Sequence, residues 1–216
     1  MNENLLLIAG GVLAYLMGSF SSAVWIGKWF YNTDVRTQGS GNAGATNTIR
    51  VLGTKAGIIV MVLDIVKAWG AVMLASVFIG ENYDASYLTN YKIILGALAV
   101  VGHVFPVFTG FKGGKGVASL VGVILALYSP VIILIVLGWF ALVFIITRYV
   151  SLSSITSSLL FAILAIFVFH EQNIYLIILA ALIAIFIPLT HHKNIKRLLK
   201  GEESKLSFRK KQKTAE

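Results

Sequence analysis

Residues 129–147 read SPVIILIVLGWFALVFIIT, a run of 19 residues without a charged side chain. A transmembrane helix needs about 20 consecutive, mostly apolar residues, so this run is a candidate on its own. The remaining chain has the same character, because 57% of its 216 residues are hydrophobic and only 12% are charged. A soluble domain carries about 25% charged residues and could not bury this much apolar surface. The sequence therefore predicts an all-α integral membrane protein.

Six further apolar segments join this run as candidate membrane spans. They are 5–27, 54–79, 90–109, 115–128, 151–169 and 173–190. The segment 115–128 is short, and it meets 129–147 at Ser129-Pro130, a pair that breaks helices. The alternative to seven spans is therefore one long kinked helix over 115–147 and a total of six. We see neither a repeat nor a second domain, which predicts a single polytopic domain over 1–216.

The distribution of Lys and Arg favours seven spans, because cytoplasmic loops carry the excess of these residues. Basic residues lie in the loops 28–53 and 110–114, at Arg148 and in the C-terminal segment 191–216. With seven spans all of them fall on one side, whereas six spans would move Arg148 to the opposite side. The sequence therefore predicts about seven transmembrane helices, with the N-terminus outside and the C-terminus in the cytoplasm.

The connections predicted to lie outside are poor in basic residues. They carry Glu3, Glu81, Asp84 and Glu171, and Lys92 is the one basic residue near them. The segment 191–216, in contrast, has nine Lys or Arg against three Glu, a net charge of +6. A basic segment beside the last apolar helix is typical of a cytoplasmic anchor on anionic membrane lipid. The membrane composition argues against nucleic acid as a partner.

Several kinds of chemistry are excluded by what the chain lacks. It has no cysteine, which excludes disulfides, iron–sulfur clusters, thiolate metal sites and an enzyme-bound thioester. His191 and His192 are adjacent and project in different directions on a helix, with no carboxylate at helical spacing, so we expect no metal site. None of the histidines begins an H-x-x-x-x-D motif, and no G-x-S-x-G motif is present, so the usual acyltransferase and hydrolase signatures are absent. We expect no cofactor.

The first polar constellation is the loop 36–50, RTQGSGNAGATNTIR. Its glycines allow a close backbone approach to an anion, and its flanking arginines have the planar fork that suits phosphate. The G-x-G-x-x-G pattern over 39–44 does not indicate a dinucleotide site, because no strand precedes it. The candidate substrate-binding residues of this loop are Arg36, Gly39, Gly41, Asn42, Asn47 and Arg50, and Ser40 is a candidate catalytic residue.

The second constellation is the loop 110–118, GFKGGKGVA, at the start of the fourth predicted helix. Backbone amides, the helix dipole and two lysines would converge there on an anion. The spacing does not match a P-loop, so it indicates phosphate binding and not nucleotide binding. The candidate binding residues are Lys112, Gly113, Gly114, Lys115 and Gly116.

The third constellation is the segment 191–203, HHKNIKRLLKGEE. His191 and Asn194 would share one face of a helix, and they are the candidate catalytic residues. Arg197 and Glu203 are candidate binding residues.

One charged pair, Asp64 and Lys67, lies within the second predicted span. An intramembrane charge marks a functional site by default, and a structural ion pair is the alternative, which stays open at this stage. We expect His103 and Pro106, at the inner end of the third span, to be structural.

Taken together, these motifs resemble the bacterial acyl-phosphate-dependent glycerol-3-phosphate acyltransferase family (PlsY-like). The runs 39–47 and 111–118 carry most of the resemblance, and Gly18-Ser19, Asp64 with Lys67, Gly102-His103, Pro106 and 191–203 match in the same order. Ala68, where glycine is usual, and Lys193, where an acidic residue is usual, depart from the family pattern.

The resemblance implies transfer of a fatty acyl group from acyl phosphate to the 1-hydroxyl of glycerol 3-phosphate. The products would be lysophosphatidic acid and phosphate, in the first step of phospholipid synthesis. The enzyme would lie in the bacterial cell membrane with its active site facing the cytoplasm. The competing interpretation is a membrane transporter of phosphate or another small anion. Transporters, however, gather polar groups at the bilayer midplane, often in repeated halves, and this chain collects them at one face.

Within this family the motifs suggest a division of roles. Lys115 and the amides of 113–116 would hold one phosphate, and Arg36, Ser40 and Arg50 would hold or orient the other. Asn42 and Asn47 would position the loop or the developing oxyanion, while His191, Asn194 and Glu203 would close the site. The proton acceptor would be either His191 or the phosphate of the substrate itself, two alternatives that the sequence leaves open.

Overall fold

The computed structural model describes residues 3–79 and 84–207, and all regular structure in that part of the chain is helical. Ten α-helices follow one another there: α1 (Glu3–Ser19), α2 (Ser22–Tyr31), α3 (Ala45–Leu52), α4 (Thr54–Ile79), α5 (Ala85–Val104), α6 (Val117–Leu127), α7 (Pro130–Thr147), α8 (Val150–Ile163), α9 (Ile174–Thr190) and α10 (His192–Leu199). Single 3₁₀ turns lie at Val35–Thr37 and Val107–Thr109, and a π-helical turn over Leu164–Val168 extends α8.

The predicted all-α membrane class is confirmed by the length and composition of these helices. Within the described residues, four helical stretches can cross a membrane, namely α4, α5 with its following turn, α7 and α8 with its π turn. Two bent pairs, α1 with α2 at 46° and α9 with α10 at 61°, raise the number to six if each pair is one span. Helix α6 has only 11 residues, about 16 Å against a hydrocarbon core of about 30 Å. Seven spans and the orientation of the termini therefore stay predictions.

The candidate span over 5–27 consists of two helices, because the chain breaks between Ser19 and Ser22. The break frees the carbonyl of Phe20, which accepts a hydrogen bond of 2.7 Å from Lys67 Nζ. The chain also breaks at Ser129-Pro130, as the sequence predicts. Ser129 Oγ accepts the Val131 amide and Pro130 occupies the first turn, so α7 starts anew. Glu81 and the basic residues of 208–216 lie outside the described residues.

Close helix packing brings the polar loops together at one end of the bundle. An ideal Cβ at Gly18 would lie 2.0 Å from the carbonyl oxygen of Ala99, and one at Gly122 would lie 2.2 Å from that of Ile65. Glycine at these two positions therefore lets α1 approach α5 and α6 approach α4. Small residues serve this purpose in membrane proteins, where the hydrophobic effect does not drive helices together.

Candidate active site

A cavity of about 430 Å³ opens between the three polar segments that the sequence singles out. Part of its lining is polar and receives side chains from all three segments. The rest of its lining is apolar and comes from α4, α6, α7 and the start of α8. The polar lining includes Ser40, Asn42, Thr46, Asn47, Arg50, Asp64, His103, Lys115, Ser151, Ser154, His191, Asn194 and Glu203, and the apolar lining includes Met61, Ile65, Val117, Val121, Leu125, Leu137, Phe140 and Val150.

The 36–50 loop is held in shape by the side chain of Asn47, which is buried. Its Oδ1 accepts the Ser40 amide at 2.7 Å, and its Nδ2 donates to the carbonyls of Val35 and Gln38 at 2.7 and 3.1 Å. Both amide hydrogens are therefore used within the loop. The sequence left two alternatives for Asn47. These hydrogen bonds fit the positioning of the loop, whereas Nδ2 has no hydrogen left to donate to an oxyanion.

Gly39 and Gly41 shape the same loop through their backbone. Both have left-handed φ angles, +60° and +72°, which glycine adopts without a steric penalty. A Cβ at Gly39 would also lie 2.3 Å from Asn47 Oδ1. Neither glycine lines the cavity, so their contribution is to expose Ser40 and Asn42, which do.

Arg36 lies outside the cavity, contrary to the prediction that it helps to hold a phosphate there. Its Nε and Nη2 donate to Asp34 at 3.0 and 2.8 Å, and its Nη1 donates to the carbonyl of Thr109 at 2.6 Å. These hydrogen bonds from Arg36 lower the pKa of Asp34. The guanidinium thus joins the two predicted phosphate loops to each other.

The expectation that the amides of Gly113 and Gly114 bind phosphate is also wrong. The Gly113 amide donates to the carbonyl of Val104 at 3.2 Å and the Gly114 amide to that of His103 at 3.1 Å. Ideal Cβ atoms would lie 2.0 Å from His103 O at Gly113 and 2.1 Å from His103 Nε2 at Gly114. These two glycines are therefore needed so that the turn can pack against His103.

The remaining residues of this loop divide between the cavity and the surface. Lys115 and Gly116 line the cavity, and Gly116 caps α6 with a φ of +84°. The first amides of α6 have no intrahelical acceptor and lie at the positive end of the helix dipole. Lys112 is exposed and does not line the cavity. A cation and helix amides thus meet at Lys115 to Ala118 and not at Gly113 and Gly114.

Lys115, Asn194 and Glu203 form a chain of hydrogen bonds in the polar lining of the cavity. Lys115 Nζ donates to Asn194 Oδ1, and Asn194 Nδ2 donates to Glu203 Oε1 at 2.6 Å. Burial lowers the pKa of Lys115 to about 8, although the carboxylate of Glu203 acts in the opposite direction. The ammonium is therefore charged at neutral pH and close to losing its proton.

Glu203, which follows α10 in the chain, joins α8 to α10 at this point. Its Oε1 also accepts Ser151 Oγ of α8 at 2.7 Å, and its Oε2 accepts Arg197 Nε of α10 at 2.7 Å. These hydrogen bonds lower the pKa of Glu203 against the opposing effect of burial, so the group is ionised. Arg197 does not line the cavity, and its contact with the site runs through Glu203.

His191 lies at the bend between α9 and α10 and faces the cavity. Its Nδ1 lies 2.8 Å from the carbonyl oxygen of Ile187, which can only accept, so Nδ1 carries the proton and Nε2 has a lone pair. Burial lowers the pKa of His191 to about 4, and the nearby Lys115 ammonium acts in the same direction. The imidazole is therefore neutral at physiological pH and only weakly basic.

The sequence missed the contributions of His103, Ser151 and Ser154 to the cavity, and it left the role of Asp64 open. Asp64 and Lys67 form an ion pair of 2.8 Å, and Asp64 Oδ1 also accepts Ser22 Oγ at 2.9 Å. The ion-pair alternative is therefore present, but Asp64 and His103 line the cavity as well. The polar run 151–158 on an otherwise apolar helix was the available signal for the serines.

This arrangement defines a class of protein. A helical membrane protein with a cavity that is lined both by two cations, Arg50 and Lys115, and by apolar side chains suits an amphiphile with an anionic group.

Comparison with known proteins narrows this class to one family. Residues 8–201 match the family model for glycerol-3-phosphate acyltransferase, and the chain belongs to this family. Glycerol-3-phosphate acyltransferases from Listeria monocytogenes (serotype 4a) and Fusobacterium nucleatum are 45% and 46% identical, over 96% and 91% of this chain and 100% and 96% of theirs.

The fold is also similar to that of a solved member. Crystal structures of PlsY, an integral membrane glycerol 3-phosphate acyltransferase, superpose with TM-scores of 0.82 in the glycerol 3-phosphate form and 0.79 in the lysophosphatidic acid form. Their sequences are 36% and 35% identical to this one. The alignments include 93% and 94% of this chain and 96% of the PlsY chain in both cases. The resemblance seen in the sequence is thereby confirmed at the level of the family.

Proposed function

We propose that this membrane acyltransferase moves a fatty acyl group from acyl phosphate to the 1-hydroxyl of glycerol 3-phosphate. The observation that carries the proposal is the mixed lining of the cavity, which combines the cations Arg50 and Lys115 with apolar side chains from four helices. Both proposed substrates carry phosphate, and one also carries an acyl chain. The forms in which PlsY was solved, with glycerol 3-phosphate and lysophosphatidic acid, support this acceptor and this product.

In the proposed reaction the 1-hydroxyl oxygen attacks the carbonyl carbon of the acyl phosphate. A new ester C–O bond forms, the C–O bond of the mixed anhydride breaks, and phosphate leaves with its electron pair. Because phosphate is a good leaving group, orientation and charge stabilisation can supply much of the catalysis. Lys115 and Arg50 hold phosphate groups, and Ser40 and Asn194 orient the reacting groups.

The hydroxyl proton needs an acceptor, for which the sequence left two candidates. His191 presents a free Nε2, but a group whose pKa is about 4 accepts a proton weakly at pH 7. A phosphate monoester has a second pKa of about 6 and is the better base. The low basicity of His191 therefore favours the phosphate of the substrate as the proton acceptor, with His191 as a neutral hydrogen-bonding partner.

The choice of donor is tested with purified protein in detergent. We expect phosphate release and lysophosphatidic acid formation from acyl phosphate with glycerol 3-phosphate, and activity that survives EDTA. Omission of glycerol 3-phosphate is the control for simple hydrolysis. Detergent removes the compartments that transport needs, so turnover under these conditions contradicts the transporter interpretation. Comparable turnover with acyl-CoA would overturn acyl phosphate as the specific donor.

We also propose that the cavity faces the cytoplasm, which single cysteines can test because the chain has none. Ser40 and Lys112 are exposed, so cysteines there should resist a membrane-impermeant thiol reagent added to intact cells. Ser86 and Gln172, exposed in the connections predicted to lie outside, provide the matched controls and should be labelled. Labelling of Ser40→Cys from outside would reverse the proposed orientation.

The pKa of Lys115 predicts an alkaline limit to substrate binding. Because burial lowers this pKa to about 8, the charge that attracts phosphate is present below pH 8 and is lost above it. We expect kcat/KM for glycerol 3-phosphate or acyl phosphate to fall about tenfold per pH unit above pH 8. The profile of Lys115→Ala should lack this fall. The same alkaline fall in both proteins would assign it to another group.

A further inference from the structure

Lys67 uses all three of its ammonium hydrogens inside the bundle. Its Nζ lies 2.7 Å from Phe20 O, 2.8 Å from Asp64 Oδ1 and 3.2 Å from His103 Nδ1. A lysine ammonium has three donors and no acceptor, so each of these three atoms accepts one hydrogen bond. His103 Nδ1 therefore carries a lone pair, not a proton.

The neighbouring carboxylate does not compete for this nitrogen. His103 Nδ1 lies 3.6 Å from Asp64 Oδ1, which is too far for a hydrogen bond. Asp64 is already engaged by Lys67 and Ser22. With Nδ1 as acceptor, the proton of the neutral imidazole must lie on Nε2, so Lys67 selects one of the two tautomers.

The Nε2 of His103 lies against the turn that leads to Lys115. An ideal Cβ at Gly114 would be 2.1 Å away from it, and only glycine leaves room for the ring there. His103 is 5% exposed and lines the cavity. In residues 3–79 and 84–207 the structure gives Nε2 no acceptor of its own. A donor that lines a cavity and has no acceptor within the protein is available to a ligand or a water molecule.

We propose that His103 is a further substrate-binding residue, which donates from Nε2 to an oxygen of the phosphate group held by Lys115. Lys67 is a positioning residue for this contact, because it fixes the tautomer of His103 although it does not itself line the cavity. The inference rests on the proposed function in that it assigns His103 to a phosphate-bearing substrate. It also gives Gly114 a reason to be glycine, since the donor must lie directly beside Lys115.

Two substitutions separate the donor from the packing role of the ring. His103→Gln keeps a donor near the position of Nε2, whereas His103→Asn keeps an acceptor near Nδ1 and has no donor at Nε2. We expect His103→Asn to raise the Kd or KM for one phosphate substrate about tenfold or more. We expect His103→Gln to stay within about threefold of wild type. Wild-type binding by His103→Asn, or equal losses in both variants, would overturn the proposal.

Nitrogen-15 chemical shifts of the imidazole in the full-length protein in detergent test the tautomer directly. We expect a protonated Nε2 and a bare Nδ1, with the Nε2 signal moving when glycerol 3-phosphate or inorganic phosphate is added. A proton on Nδ1 would contradict the role of Lys67, and a signal that neither phosphate compound moves would contradict substrate contact. This measurement does not depend on whether a substituted protein folds.

The same experiments distinguish this inference from the proposed donor. Calorimetric binding of glycerol 3-phosphate requires no acyl donor. If wild type fails to use acyl phosphate but His103→Asn still loses glycerol 3-phosphate binding and His103→Gln keeps it, the donor is wrong and the inference stands. If wild type turns over acyl phosphate and His103→Asn matches it with both substrates, the inference alone fails.

Discussion

Lys115→Ala is expected to raise KM for one phosphate-bearing substrate by about ten- to a hundred-fold. The lost contact is a charge-assisted hydrogen bond at the start of α6, worth about 1.5–3 kcal/mol. If that contact is equally strong in the ground and transition states, kcat changes little. The measurement is a kinetic matrix in which each substrate is varied against wild type and variant, with folding checked for each protein.

The matched control for this prediction is Lys193→Ala. Lys193 is exposed on α10, next to Asn194, and does not line the cavity. Its substitution by alanine removes the same charge from the protein as Lys115→Ala does. Ser40→Ala extends the comparison, because a side chain at the reacting centre should lower kcat instead of raising KM. Wild-type kinetics from Lys115→Ala would remove the second loop from the active site. An equal fall in kcat for Lys115→Ala and Ser40→Ala, without a change in KM, would contradict the division of roles.

Glu203→Ala is expected to lower kcat/KM about a hundredfold and to lower the thermal stability as well. The substitution leaves Asn194 Nδ2 and Ser151 Oγ without their acceptor, at a cost of about 1–3 kcal/mol for each buried group. The contact with Arg197 adds little, because the arginine side chain is 39% exposed and solvent screens the pair. The main effect is that Asn194 loses its orientation toward Lys115.

Glu202→Ala is the control, since Glu202 is exposed and adjacent in the chain. The kcat/KM and the melting temperature of Glu203→Gln should lie between those of Glu203→Ala and Glu202→Ala. The new amide oxygen still accepts hydrogen bonds from Asn194 and Ser151, whereas the new amide nitrogen is a donor that faces the donor of Arg197. A melting temperature and a kcat/KM are needed for each protein. Normal kinetics with a lowered melting temperature in Glu203→Ala would make the residue structural and would take Asn194 out of the reaction.

The sequence by itself determined the class of protein and the identity of its polar segments. Long apolar runs such as 129–147 have few alternatives to membrane helices, because their length and lack of charge are local properties. The two glycine-rich loops and the segment 191–203 were recognisable as motifs for the same reason. Their convergence on one cavity was expected from the alternation of basic loops, and the structure places Ser40, Lys115 and Asn194 around it.

Only the tertiary structure decided which groups within each motif are free to bind. Arg36 has the right chemistry for phosphate, but Asp34 and the carbonyl of Thr109, 73 residues away in the chain, occupy its donors. Gly113 and Gly114 have amides in a suitable motif, and these amides are bound to the end of α5. A hydrogen bond to a distant residue leaves no trace in local spacing.

The same limit applies to His103, which the sequence predicts to be a structural residue. His103 appears as one polar residue near the end of an apolar span, and its spacing does not show that Lys67 points at one nitrogen while Gly114 leaves room for the other. Local sequence fixes which side chains carry donors, acceptors and charge. Helix packing fixes which of them are satisfied within the protein, and those left unsatisfied in the cavity are the ones that can bind a substrate.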